Sequence, residues 1–255
     1  MSVEDFENFM INVEDFVKRQ IAVFQENELL ENRLENRERR PGRGREGNLF
    51  YGPYLLISRE KGAGGNAVAQ LVGRRLGWQV FDNEIVDEIA KQAHVRSQLI
   101  GSLDEHVQET IQEFIGGLLN PRQVGTSDYL VYLKQVVLTL GHQGDVIIVG
   151  RGARFILPSQ FGLSVRMVAP VETRIGRIAD KARLSPEAAR VEVERMDRER
   201  VQLVHRHFGH DVTDPLSHDL IINTGAMNVE AAAEIILTAL RRKLGVQIKE
   251  DGQRQ

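Results

Sequence analysis

Apolar residues in the first 36 positions fall on a near-heptad track: Phe9, Val13, Phe16, Val23, Leu30 and Leu34, with Gln20 and Asn27 on the same face. That spacing predicts a helix with one apolar stripe. Two fates are open to the stripe: pairing with a protein partner or a second copy of the chain, or packing back on its own domain. The run RERRPGRGREGN, residues 37–48, breaks every period. Its Arg and Gly content and helix-stopping Pro41 predict a solvated linker over 37–50, and a nucleic-acid-binding arm is the lesser reading. From 51 to 245 short apolar runs alternate with stretches of helical period. The runs are YLLIS at 54–58, WQVFD at 78–82, DVIIVG at 145–150, LSVRMVA at 163–169 and HDLIIN at 218–223. This alternation predicts an α/β domain built on a parallel sheet.

The helical stretches carry their own punctuation. Val68, Leu71, Val72 and Arg75 share a face, and Gly77 suits the end of that helix. Ile85, Val86, Ile89, Ala90 and Ala93 form a second face, and helices are predicted over 104–119 and 128–142, separated by Asn120-Pro121. Ser185-Pro186 opens a long helix running to about His207, by cap and first-turn proline. Asn228 caps a final helix that ends at Gly245, and residues 246–255 read as a polar tail.

Composition narrows the classes. A formal net charge of −3 gives no bulk attraction to nucleic acid or to an anionic membrane. Cysteine is absent, which excludes disulfides and thiolate metal sites and fits a reducing, cytoplasmic setting. No apolar run approaches a membrane span, and the acidic N-terminus does not read as a secretory signal.

The chemistry begins where the first core strand turns into a helix, in ISREKGAGGNAV. Gly62, Gly64 and Gly65 remove three side chains there, so backbone N–H groups can converge on an anion at the positive end of a helix. Two ligand classes fit. Gly62-Ala63-Gly64-Gly65-Asn66-Ala67 satisfies G-x-G-x-x-A, and Asp82 lies twenty residues past Gly62, as in an NAD-type dinucleotide site. Against this, Arg59, Glu60 and Lys61 separate strand from glycine, a longer loop that suits one wrapped around nucleotide phosphates. The second half of the chain supplies cations. Arg151 follows a strand and a glycine at the sheet edge where α/β ligands bind. Arg174 and Arg177 share a helix face, as do Arg195 and Arg198 on the next helix, and KARLSP joins the two helices. Such a pair of helices could close over a polyphosphate. Each arginine taken singly could instead pair with Asp180, Glu192, Glu194, Asp197 or Glu199.

The ordered set ISREKGAGG, FDNEIVDEIA, VGRGARFIL, VAPVETRIGRI and DLIINT, spread over residues 54–240, resembles the cytidylate kinase-like family of P-loop nucleoside monophosphate kinases. The resemblance implies a three-layer α/β fold with a helical lid, and ATP- and Mg2+-dependent phosphoryl transfer to a nucleotide such as CMP. It places residues 59–66 (Arg59, Lys61, Gly62, Ala63, Gly64, Gly65 and Asn66) on the donor phosphates and Arg151 on the acceptor. Arg174, Arg177, Arg195 and Arg198 become transition-state cations, and Asp82 helps orient substrate or a magnesium water. The chain departs from ordinary cytidylate kinases at several of these places. Gly65 stands where the loop lysine belongs, Asn66 where a magnesium-binding hydroxyl belongs, Val149 and Gly152 where aspartates flank the arginine, and Glu88 where another arginine is expected. Lys61 or Arg59 is then the candidate to supply the lost charge. A nucleotide-sensing module without catalysis is the second reading and an NAD-type protein the third. His205 and His207 point to different helix faces, which argues against a shared metal. Trp78 reads as core.

Overall fold

The structure, a computed structural model, describes residues 43–46, 49–103, 105–118 and 128–247. The N-terminal helix expected over 1–36, the break at Asn120-Pro121 and most of the polar tail lie outside these residues. Inside the segment that reads as a linker, Gly44–Glu46 (β1) and Leu49–Tyr51 (β2) pair antiparallel, Gly44 opposite Tyr51. Leu49 and Tyr51 are buried, which anchors a stretch whose Arg and Gly content alone suggests solvent.

The described chain divides into two compact units, one running up to Gly52 and resuming over Glu84–Gly144, the other Pro53–Asn83 with the chain from Asp145 onward. In the first, Asn83–Lys91 (α2), Ala93–Gly101 (α3), Glu105–Leu118 (α4) and Asp128–Gln143 (α5) gather around the buried side of α5, which meets α3, α4 and β2. The sequence reads Ile85 to Ala93 as one helical face; in the structure the helix stops at Lys91, Gln92 takes an extended backbone and α3 begins afresh. AHVRSQLIG has no regular apolar stripe, so periodicity gave no sign of α3.

The second unit holds Tyr54–Arg59 (β3), Gly65–Leu76 (α1), Gln79–Phe81 (β4), Val146–Val149 (β5), Gly162–Val168 (β6), Val171–Ala182 (α6), Pro186–Phe208 (α7), Leu220–Asn223 (β7) and Val229–Leu244 (α8). The strands form one five-stranded parallel sheet in the order β4-β5-β3-β6-β7. Strand side chains alternate between faces. Leu55, Ile57, Ile147, Val149, Leu163, Val165 and Met167 join Val68, Val72, Ile236 and Leu240 of α1 and α8 in one continuous core. The opposite face carries Leu56, Ser58, Ile148, Ser164 and Arg166, with α7 over it. One face of this parallel α/β sheet is thus covered by α1 and α8, and α7 lines a cavity against the other.

The helix ends follow local rules. Ser185 Oγ accepts from the Ala188 amide and Asn228 Oδ1 from the Ala231 amide. α6 and α7 pack through Ile175, Ala189 and Val193.

Candidate active site

The turn between β3 and α1 is held from behind by its carbonyls. Arg174 Nη1 donates to Lys61 O at 3.2 Å, Arg177 Nη1 to Gly62 O at 3.3 Å, and Thr224 Oγ1 to Ala63 O at 2.9 Å. With three consecutive carbonyls tied down, the peptide planes are fixed. Among the described residues, no hydrogen bond is donated by the amides of Gly62, Gly64, Gly65 or Asn66. Gly62 and Gly64 adopt φ of 83° and 78°, the left-handed region open to glycine. A Cβ at Gly62 would also lie 2.8 Å from the Arg174 carbonyl oxygen. Open amides at the start of a helix of 12 residues form a cradle for an anion. The amide of Lys61 is excluded from it, because it donates to Asp197 Oδ1 at 2.7 Å.

Arg59 lies beneath this turn. Its side chain is buried, with Nη2 bonded to Asn83 Oδ1. A Cβ at Gly65 would sit 2.9 Å from Arg59 Cβ, so the arginine stem occupies the space where a longer side chain at position 65 would begin. The glycine in the lysine's place and the arginine beneath it are one structural arrangement.

A cavity of about 370 Å3 opens beside the turn, between the second face of the sheet and α7. Its walls include Arg59, Arg151, Arg154, Arg166 and Arg200, the acids Glu60, Asp197 and Glu199, and an apolar stretch with Leu56, Ile148, Phe155 and Val204. Arg166 is only 6% exposed; Nη1 donates to Ser58 Oγ at 3.2 Å, and Nη2 lies 3.8 Å from Glu60. Burial pushes the Arg166 and Arg200 guanidiniums below the usual arginine range. His218 is buried at the cavity edge. Its Nε2 faces the Val212 carbonyl at 3.2 Å, which can only accept, and that contact assigns the proton to Nε2. Nδ1 then accepts a hydrogen bond from the Ser164 hydroxyl at 3.1 Å. Burial holds His218 below the ordinary imidazole value, in keeping with a neutral ring.

A strand, a glycine turn with open amides, a helix and a cation-rich cavity at the ends of a parallel sheet now stand together. The profile of the cytidylate kinase-like family matches residues 55–226, from the first core strand to just beyond the last. The chain belongs to the cytidylate kinase-like family. It is 25% identical over 190 residues to the cytidylate kinase of Sulfolobus acidocaldarius, covering 74% of this chain and 94% of that protein. It is 28% identical over 156 residues to the cytidylate kinase of Ignicoccus hospitalis, covering 60% and 88%. The solved structure of an uncharacterized protein from Eubacterium ventriosum, at 21% identity, superposes with a TM-score of 0.58 over 74% of this chain and 98% of that one, a likeness of fold.

Within this family member the residues singled out from sequence divide into groups. Arg59, Gly62, Ala63, Gly64, Gly65 and Asn66 come together at the turn, and Arg151 lines the cavity with Nε near the Asn83 carbonyl at 3.5 Å. Asp82 is half-buried at the C-terminal end of β4. Arg174 and Arg177 reach the turn but bind its carbonyls rather than lining the cavity. Arg174 also pairs with Asp197 at 2.5 Å and Glu60 at 3.3 Å, and Arg177 Nη2 donates to Thr224 O at 2.7 Å. Arg195 is exposed and paired with Glu192 at 2.7 Å and Glu199 at 2.6 Å, the partnering with helix acids that its spacing also allowed. Arg198 is exposed on α7. Lys61 Nζ lies 3.6 Å from Glu192. Glu88 accepts from Gln92 Nε2 at 2.7 Å. Trp78 joins the core, just ahead of β4.

Sequence reasoning missed Arg166, Arg200, Arg154, Ser58, Ser164 and His218. A signal existed for part of this set. LSVRMVA alternates apolar residues with Ser164 and Arg166, and a strand buried on both faces has no reason to carry either.

Proposed function

We propose that this chain transfers the γ-phosphoryl group of ATP to a small anionic acceptor, with CMP the first candidate. The observation that carries the reading is the turn whose carbonyls are pinned by Arg174, Arg177 and Thr224 while the amides at Gly62, Gly64, Gly65 and Asn66 stay open. Those amides hold the β- and γ-phosphates of the donor, aided by the dipole of α1. Arg59 takes over the charge of the absent loop lysine, since its stem fills the space a side chain at position 65 would enter while Lys61 is drawn toward Glu192. Arg151, on the cavity wall, positions the acceptor, and α6 and α7 act as the lid. Arg174 and Arg177 serve by positioning the turn, so their effect on catalysis is indirect. Membership of the family and two named cytidylate kinase relatives support a nucleotide kinase.

Mg2+ takes hard oxygen ligands and is commonly held by one or two carboxylates together with substrate phosphates, which Asp82 and the donor can provide. When bound, the ion neutralises charge spread over the phosphoryl oxygens. The rest of the task is positioning and electrostatics, which the turn and the arginines perform without covalent chemistry.

ADP production measured with ATP, Mg2+ and a panel of nucleoside monophosphates tests the reading. Turnover with CMP is expected, and absence of turnover with every acceptor, together with no ATP binding, removes it. ATP bound without turnover would identify the nucleotide-sensing module, the second reading, which the missing lysine and the ion-paired Arg195 favour. Membership of the kinase family speaks against an NAD-type protein. The cation assignment has its own check. Arg59→Ala should lower turnover on the order of a hundredfold and Lys61→Ala much less; equal turnover in both variants and the wild type would sink it.

A further inference from the structure

The second face of the sheet carries a charge that packing does not explain. Arg166 lies on β6, two residues along from Ser164 and in register with Ser58 of β3. A guanidinium buried this deeply loses most of its hydration, and that loss is offset only by good hydrogen-bonded partners. Its partners are poor. Ser58 Oγ is a neutral acceptor at 3.2 Å, and Glu60 at 3.8 Å is too far for a hydrogen bond.

The cavity's acids are meanwhile engaged by groups outside its wall. Glu60 Oε2 accepts from the Ala169 amide at 3.2 Å and lies 3.3 Å from Arg174 Nε. Asp197 is held by Arg174 and by the Lys61 amide, and Glu199 by Arg195. Arg174 and Arg195 do not line the cavity. Its acids are thus largely neutralised from behind, leaving the wall electropositive. Arg200, also on the wall, donates to the Arg59 carbonyl at 3.2 Å and lies 3.8 Å from Asp197. Between the cations the wall is apolar, with Leu56, Ile148 and Phe155.

We propose that Arg166, with Arg200, receives the anionic group of the phosphoryl acceptor, so that the acceptor is a small phosphate- or carboxylate-bearing molecule whose body lies against Leu56, Ile148 and Phe155. This rests on the phosphotransfer reading and goes beyond it by naming the residue that selects an anion. Arg151, after the glycine that follows β5, is then a second contact rather than the only one. Ser58 orients Arg166, and His218, engaged by Ser164 and Val212, closes the cavity edge without adding charge.

The test is binding of CMP, cytidine and inorganic phosphate to the full chain, with ATP titrated separately. In the wild type, CMP should bind at least about tenfold more tightly than cytidine, the value of one charge-assisted contact. Arg166→Gln should lose about tenfold or more in CMP and phosphate affinity while ATP affinity stays within about twofold, and Arg166→Lys should fall between. CMP and phosphate binding to Arg166→Gln as tightly as to the wild type overturns the proposal. So does cytidine equal to CMP, or failure of both anions to bind, and these two results need only the wild type. Failure of ATP to bind overturns the phosphotransfer reading instead, and the anion titrations still decide the role of Arg166.

Discussion

Gly62 and Gly64 share a backbone conformation but not surroundings, and that difference separates two roles for glycine. At Gly64 nothing lies within 4 Å of an added Cβ, so Gly64→Ala should cost only the left-handed strain, about 1–2 kcal/mol. At Gly62 the same strain is joined by a collision with the Arg174 backbone, so Gly62→Ala should lower the denaturation midpoint further. Equal losses would mean that the turn relaxes away from Arg174. His218 supplies a pH dependence. Its folded-state pKa is depressed by burial, with Arg166 and Arg154 opposing its charge and Asp219 favouring it. Between the depressed value and the unfolded value of about 6.5, the unfolded chain binds more protons, so stability rises with pH across that window. It should be fully present above about pH 6.5 and fall as the solution is acidified toward the folded pKa. Urea titrations from pH 7.5 to 5 should show that slope, and His218→Gln should flatten it.

The strand, turn and helix formed by β3 and α1 show how an element is set by contacts from far along the chain. The strand run YLLIS and the stripe of α1 are local signals, but the orientation of the turn between them depends on Arg174, Arg177 and Thr224. Arg174 is also the only cation within ion-pair reach of both Glu60 and Asp197 among the described residues. Arg174→Leu should therefore leave two partly buried carboxylates poorly compensated and destabilise by about 3–5 kcal/mol. Arg195→Ala, on the exposed face of α7, should leave the denaturation midpoint nearly unchanged. A midpoint for Arg174→Leu as high as that for Arg195→Ala would refute the clamp. α3 makes the complementary point: it has no apolar stripe, yet Leu99 is buried and the Arg96 guanidinium lies over the Tyr132 ring of α5 at 3.6 Å.

At the scale of the molecule the parallel sheet sets the order of stability. β3, β5 and β6 each pair on both sides, whereas β4 and β7 are edges. Amides of Tyr54–Arg59, Val146–Val149 and Gly162–Val168 should exchange with solvent last, and those of Gln79–Phe81 early. Uniform exchange across all five strands would contradict that order. On the proposed reading, ATP at a hundred times its dissociation constant should add about 2.7 kcal/mol to the stability of the folded chain, read as a rise in its urea midpoint, and an unchanged midpoint would count against a donor site. The sequence by itself determined the alternation of strands and helices, the glycine turn, the capping residues and the family, because period, backbone conformation and caps act over a few neighbouring residues. The tertiary structure alone decided which cations face the cavity. The Arg174 guanidinium is drawn to the Lys61 carbonyl across 113 positions and the Lys61 amide to Asp197 across 136, and partners so distant leave no mark in either residue's neighbourhood. An arginine on a helix face reads the same whether it will bind a carbonyl, a carboxylate or a substrate, until folding brings one of them within reach.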